Sequence, residues 1–282
     1  MGIDTSTRRS MSNGPSARST PQGSTHRARR LIFLRAIIWG LVGLLCAPLF
    51  IGLSAMFKHL GAGLAAYIAA AALTGGAGAA LYTGREVALL GTGVGVGAGV
   101  LSLMLGPHLV SFQHAVLIAG VIAALIMFHP VFQARCIPQL PTRVMAGVTT
   151  GALCGAALGV AEPLHPAPFS TFAVLSFLVS VNGVLYVASL GPLLSVTRRM
   201  HLTFLPCNWV EALVAGPLAA IAAGSVWIMA GPFLGEHGQL LQATSDAVYR
   251  QLPMALLGGI FGGGLAGGLL GVFGFPWVHE NR

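Results

Sequence analysis

The stretch from Asn182 to Ser189 places an amide, a phenol and a hydroxyl at i, i+4 and i+7 within an otherwise apolar run. On a helix those spacings fall on one face, so Asn182, Tyr186 and Ser189 form a polar stripe. In hydrocarbon such a stripe either lines a solute path or hydrogen-bonds a neighbouring helix. Glu211 lies about one turn into the next apolar run, with Asn208 three residues before it. A carboxylate at that depth suits proton uptake and release during coupled transport; a headgroup-level ion pair with Arg198 or Arg199 is the alternative. Asn182, Tyr186, Ser189 and Glu211 are therefore the substrate-path candidates.

The chain has nine histidines against seven carboxylates. His59, His108, His114, His165 and His237 are expected on one side of the membrane, and His26, His129, His201 and His279 on the other. Met56, Met104 and Met229 fall near the first group, and imidazole and thioether ligands together could hold copper. His114 and His129 are fifteen residues apart in one apolar run, close to the spacing at which a single helix carries two haems. Bis-histidine ligation needs a second helix with a matching pair, and no other run has one. The favoured reading is interfacial histidines without ligand duty, hence no cofactor; a haem or copper site is the alternative.

Catalytic signatures are absent. There is no G-x-S-x-G, no H-E-x-x-H and no clustered acidic motif that would hold Mg²⁺. Gly93, Gly95 and Ala98 have the G-x-G-x-x-A spacing of a dinucleotide fingerprint, but that fingerprint needs a preceding strand and an acidic residue about 20 positions on. After Glu86 the next carboxylate is Glu162. Cys46 and Cys154 fall in apolar runs, Cys136 and Cys207 in connecting loops, and all four are expected as inert thiols with no disulfide.

The elements that must position these residues follow from composition. Only 8% of residues are charged and 55% are hydrophobic, with mean hydropathy +0.81, whereas a soluble domain carries about 25% charged residues. Apolar runs long enough to cross a ~30 Å hydrocarbon core recur from residue 31 onward. They predict an all-α polytopic membrane protein of eight spans: 31 to 57, 60 to 82, 87 to 107, 114 to 134, 143 to 161, 170 to 197, 209 to 233 and 253 to 277. The second and third are diluted by alanine and glycine and separated only by Thr83, Gly84, Arg85 and Glu86; merging them would give seven.

Loop charge orients the chain. With a cytoplasmic N-terminus, that side holds thirteen arginines, among them Arg35, Arg85, Arg135, Arg143, Arg198 and Arg199, and the other only Lys58 and Arg250. This positive-inside asymmetry predicts both termini in the cytoplasm and a location in the cytoplasmic (inner) membrane. The net charge of +8 is then an orienting and headgroup-attracting feature, which removes nucleic acid as a partner. Residues 1–30 are rich in Ser, Thr, Arg, Gly and Pro and read as a disordered basic cytoplasmic tail, with a transit peptide as the other reading; residues 31–282 form the transmembrane domain. Arg35 and Glu162 lie near the interface, where they can snorkel.

Residues 258–274 hold nine glycines in seventeen positions. Gly259, Gly263, Gly267 and Gly271 repeat every fourth residue, as do Gly147, Gly151, Gly155 and Gly159, which gives two helices a glycine-zipper face where backbones can touch. Residues 139–160 laid over 251–272 give ten identities in 22 at an offset of 112; in the eight-span topology these runs enter from opposite sides, as in an inverted repeat. A parallel alternative matches Arg35, Gly43, Leu45 and Cys46 with Arg143, Gly151, Leu153 and Cys154. The leading reading is thus a glycine-rich, close-packed bundle with internal duplication that moves a small solute or ion as a transporter or channel. The alternatives are a membrane subunit of a redox or metal-handling complex and an assembly subunit of a larger membrane complex; lipid, copies of itself or complex subunits are its partners.

Overall fold

The computed structural model describes residues 21–106, 109–133, 139–164, 169–199, 206–234 and 238–275. Among these the chain is all α. The helices are α1 Pro21–His59, α2 Ala65–Thr83, α3 Arg85–Leu105, α4 Phe112–Ile126, the single turn α5 Pro130–Gln133, α6 Leu140–Leu164, α7 Thr171–Arg199, α8 Cys207–Ala230 and α9 Gln239–Val272. Seven of them are long and apolar enough to cross a membrane and α4 is shorter.

The inside of the bundle is small and the outside large. On α4, Ala115, Ala119 and Ala123 are at most 2% exposed while Leu117 and Leu125 are 65% and 63% exposed. A soluble helix would bury its leucines. With lipid as solvent, leucine gains nothing by leaving it and helices associate through the faces that bring backbones closest. The chain is an integral, multi-pass membrane protein.

Two antiparallel helix pairs carry the glycine faces. A Cβ added to Gly259, Gly263 or Gly267 would strike the backbone of Gly43, Trp39 or Arg35 on α1, and one on Gly271 would press on Ile32. Gly147, Gly151, Gly155 and Gly159 of α6 meet Gly75, Ala71, Tyr67 and Leu64 of α2 in the same succession. Positions 112 residues apart in α6 and α9 therefore meet positions 32 residues apart in α2 and α1. Numbering rises on one helix as it falls on the other in each pair, and α1 and α2 are joined by a short turn, so α6 runs with α1 and against α9. The two pairs are related in the inverted sense. A second face of α9, at Gly258 and Gly262, receives Phe172 and Ser176 of α7, each carbonyl 2.6 Å from the added Cβ.

Helices α3, α4 and α8 form a second group. Gly91, Gly95 and Gly99 of α3 lie against Ala215, Ala219 and Ala223 of α8, running the same way, and Gly120 of α4 faces Gly216 of α8. The Trp227 indole donates to Ser102 Oγ at 2.8 Å, and that hydroxyl donates to the Gly99 carbonyl at 2.8 Å, so the buried polar atoms here satisfy one another.

Several expectations are corrected. The run expected as a span from 114 to 134 is helical only to Ile126; residues 127–129 turn, and Pro130, which cannot continue a ladder of backbone bonds, opens α5. His129 is therefore not on the helix of His114. Gly84 alone separates α2 from α3, so these stay two spans. Helix α1 begins at Pro21 and α9 at Gln239, both before the residues expected; the early turns of α9 bury Leu241 and Val248, and residues 1–20 lie outside the described residues. Cys207 is disulfide-bonded, against the expectation of inert thiols, while Cys46 and Cys154 are free.

Candidate functional site

Helices α1, α2, α6 and α7 enclose a cavity of about 60 Å³ at mid-bundle, room for a few waters. It exists because glycine and alanine cannot fill the space where the antiparallel pairs meet. Along its length the lining changes character. At one end stand Tyr82 and Tyr186, then Trp39 and Gly183, then Cys46, Thr74 and Asn182, with the Cys46 thiol beside Gly78, and at the other end Ala71, Leu178 and Val179. The Trp39 and Tyr82 rings lie 6.1 Å apart. Thr74 Oγ1, Asn182 Oδ1 and the Tyr186 hydroxyl are buried without a hydrogen-bond partner in the protein. Buried polar atoms of this kind are rare and call for a ligand or solvent to satisfy them.

Of the four substrate-path candidates the structure brings two together. Asn182 and Tyr186 share the cavity. Ser189 is half-buried and donates to the Tyr186 carbonyl at 3.0 Å, a bond within its own helix. Glu211 is 3% exposed on α8, in the other helix group and away from the cavity that Asn182 and Tyr186 line.

Two arginines that looked interfacial in the sequence are buried. Arg35 is 5% and Arg143 4% exposed. Arg35 Nη1 donates to the carbonyls of Leu270 at 3.3 Å and Phe275 at 2.6 Å, taking up acceptors that the end of α9 leaves over. Arg143 Nη2 donates to Gln139 Oε1 at 2.8 Å, one turn back on α6. The charges of both act on the Tyr82 hydroxyl, and that of Arg143 acts on Tyr186, whose hydroxyl has Thr83 beside it. Composition offered no clue, because burial here depends on a carbonyl 240 residues away. The one available signal was the match of Arg35 with Arg143 in the parallel alignment.

A second, larger cavity of about 380 Å³ lies toward the opposite end of the same helices, lined by Phe50, Ser54, Lys58, His59, Tyr67, Glu162 and Leu175 among others. Lys58 Nζ donates to the Tyr67 hydroxyl at 2.6 Å and that hydroxyl donates to Glu162 Oε1 at 2.9 Å; Lys58 also faces Glu162 directly at 3.7 Å. The two cavities are one turn apart on three helices: Cys46 and Phe50 on α1, Ala71 and Tyr67 on α2, Leu178 and Leu175 on α7. Between them Phe50, Leu175 and Leu178 belong to one buried apolar cluster.

Of the five histidines weighed as metal ligands, His108, His165 and His237 lie outside the described residues. His59 lines the larger cavity, and His114 Nδ1 is 2.7 Å from Ser111 Oγ, the cap of its own helix. Among the described residues no three His, Cys, Asp or Glu side chains stand together as a metal site. No known protein family, curated protein or solved structure matches the chain.

Proposed function

We propose that this membrane protein is a transporter that carries a small solute through the helices α1, α2, α6, α7 and α9. The observation that carries the reading is the pair of cavities stacked along three shared helices and parted by a single helical turn, about 5.4 Å, of apolar side chains. A carrier needs a solute site near mid-membrane and a thin barrier that can be withdrawn. Helix pairs related in the inverted sense support the same reading, since alternating access commonly rocks one such unit against the other around a fixed site.

Orientation belongs to the proposal too. The arginine-rich loops lie at the Arg35 end, which the charge rule assigns to the cytoplasm of the inner membrane. The disulfide at Cys207 stands at that same end, where a reducing compartment disfavours it. Labelling decides between these opposed signs. Single cysteines at Lys58 and Gly238 are expected to react with an impermeant maleimide in intact cells, and ones at Gly84 and Gln139 to stay unlabelled; the reverse pattern turns the protein over.

The carrier itself is tested through Cys46, a native thiol in the cavity wall. In proteoliposomes, Phe50→Ala should expose Cys46 to a small methanethiosulfonate added on the Lys58 side, while the protein with Phe50 reacts slowly. Equal rates in both would remove Phe50 as the barrier. Absence of protein-dependent flux for any anionic, neutral or cationic probe would end the transport reading.

A further inference from the structure

We infer that the cavity between α1, α2, α6 and α7 binds a small uncharged solute of the carboxamide or urea class, seated against Asn182 and Thr74. The inference names the substrate class for the transport reading and rests on that reading for movement, not for binding.

Three observations lead to it. First, the wall carries unfilled hydrogen-bonding groups of both kinds. Asn182 Oδ1 accepts only, and the Thr74 hydroxyl can donate; both are buried without a partner in the protein, and Thr74 is 4% exposed. A solute that fills both must offer an N–H or O–H to Asn182 and an acceptor to Thr74. Second, the fold leaves no side chain to do this instead. A Cβ on Gly75 would stand 3.3 Å from Asn182 Nδ2 and would strike the Gly147 carbonyl. The Asn182 carboxamide thus lies over the point where α2 and α6 touch, and both helices place glycine there. Third, the described residues lining the cavity include no charged side chain of either sign. Arg35 and Arg143 do not line it and are bonded to the Leu270 and Phe275 carbonyls and to Gln139. An ion would give up its water on entering and meet no counter-charge on the wall, whereas an uncharged solute can recover its hydrogen bonds in full.

Size and shape narrow the class. A cavity of about 60 Å³ admits a solute of roughly four to six non-hydrogen atoms. The Asn182 carboxamide holds an acceptor and a donor on neighbouring atoms, and a carboxamide or urea returns one bond to each. Its carbonyl is then the acceptor for Thr74.

The test uses four probes of one size and shape: acetamide, acetate, acetamidinium and acetone. They separate charge from donor capacity, since acetone is uncharged but accepts only. A ligand of so few atoms binds weakly even at its best, so each is titrated to roughly 100 mM at matched ionic strength with the purified full chain in detergent. Reaction of Cys46, which lines the cavity, with methyl methanethiosulfonate is read by mass spectrometry; Cys154, free but outside that wall, is the internal reference. Acetamide should slow reaction at Cys46 and not at Cys154, acetone should need about tenfold more for the same protection, and the two ions should not protect. Thr74→Val should weaken acetamide about tenfold, and Asn182→Leu should erase its advantage over acetone. If either variant fails to fold, the probe series on the native chain decides alone. Protection by acetate or acetamidinium as strong as by acetamide overturns the inference, and so does protection by none of the four, which would leave the cavity to water. Flux in proteoliposomes separates the two claims. Acetamide protection without protein-dependent entry of urea keeps the site and removes transport; protein-dependent entry of a charged probe without acetamide protection keeps transport and removes the site.

Discussion

The pairs α1/α9 and α2/α6 share a register and differ in what they carry on it. Where Gly267 receives Arg35, its counterpart Gly155 receives Tyr67. Arg35 is sealed in and tied to the end of α9; Tyr67 sits at the opposite end of the bundle in a half-open chain with Lys58 and Glu162, whose side chains are 45% and 37% exposed. The framework is thus repeated while its charges are not. One end holds a partly exposed Lys58–Glu162 pair and the other two buried arginines.

The largest expected effect tests the frame. If the pairs are equivalent, Gly259→Leu and Gly147→Leu should be comparably damaging, since both new side chains would meet a facing backbone and overpacking costs roughly 1–3 kcal/mol per site. Gly267→Leu belongs to the same class. Its neighbour Gly268 has open space where a Cβ would go, as does Gly97, so Gly268→Leu and Gly97→Leu should melt in detergent close to the parent. Equal losses at Gly267 and Gly268 would show that glycine flexibility, not close approach, is what the helix needs.

Next in size is the contrast between the ends. Arg35→Gln removes a charged donor from two carbonyls at the end of α9, a loss of about 1.5–3 kcal/mol that should be indifferent to salt. Lys58→Gln breaks an exposed pair and should cost at most about 1 kcal/mol, less as ionic strength rises. Chemical denaturation of both variants in low and high salt measures the difference. A salt-sensitive loss at Arg35 would mean that water reaches it and that the ends are alike.

The frame was legible because it is local and periodic. Glycines four apart announce a face whatever it touches, and the ten matches between residues 139–160 and 251–272 carried the register of both pairs. Asn182 and Tyr186 were legible for the same reason. Ser189 was not separable from them, because spacing does not say which hydroxyls turn back onto their own helix. The arginines were illegible for the opposite reason. A long cation near a helix end reads as snorkelling, and only the approach of Leu270 and Phe275 from the far end of the chain makes Arg35 a buried group. Pro130 did signal the end of α4, but hydropathy across it masked the break.

The smallest stability effect is also the most discriminating, because it sets one tyrosine against another. The Tyr67 hydroxyl accepts from Lys58 and donates to Glu162, so Tyr67→Phe breaks bonds the protein makes to itself and should lower stability by about 0.5–1.5 kcal/mol. The Tyr186 hydroxyl is buried in the cavity without such a bond. Leaving a polar group unsatisfied already costs the folded state, so Tyr186→Phe should leave the melting temperature unchanged or raise it when no solute is present. A gain in stability on removing a buried hydroxyl is the mark of a group not kept for the fold. Should Tyr186→Phe instead melt lower than the parent by as much as Tyr67→Phe, its hydroxyl is bonded within the protein, with Thr83 as the neighbour at hand, and the difference between the two ends lies in the arginines alone.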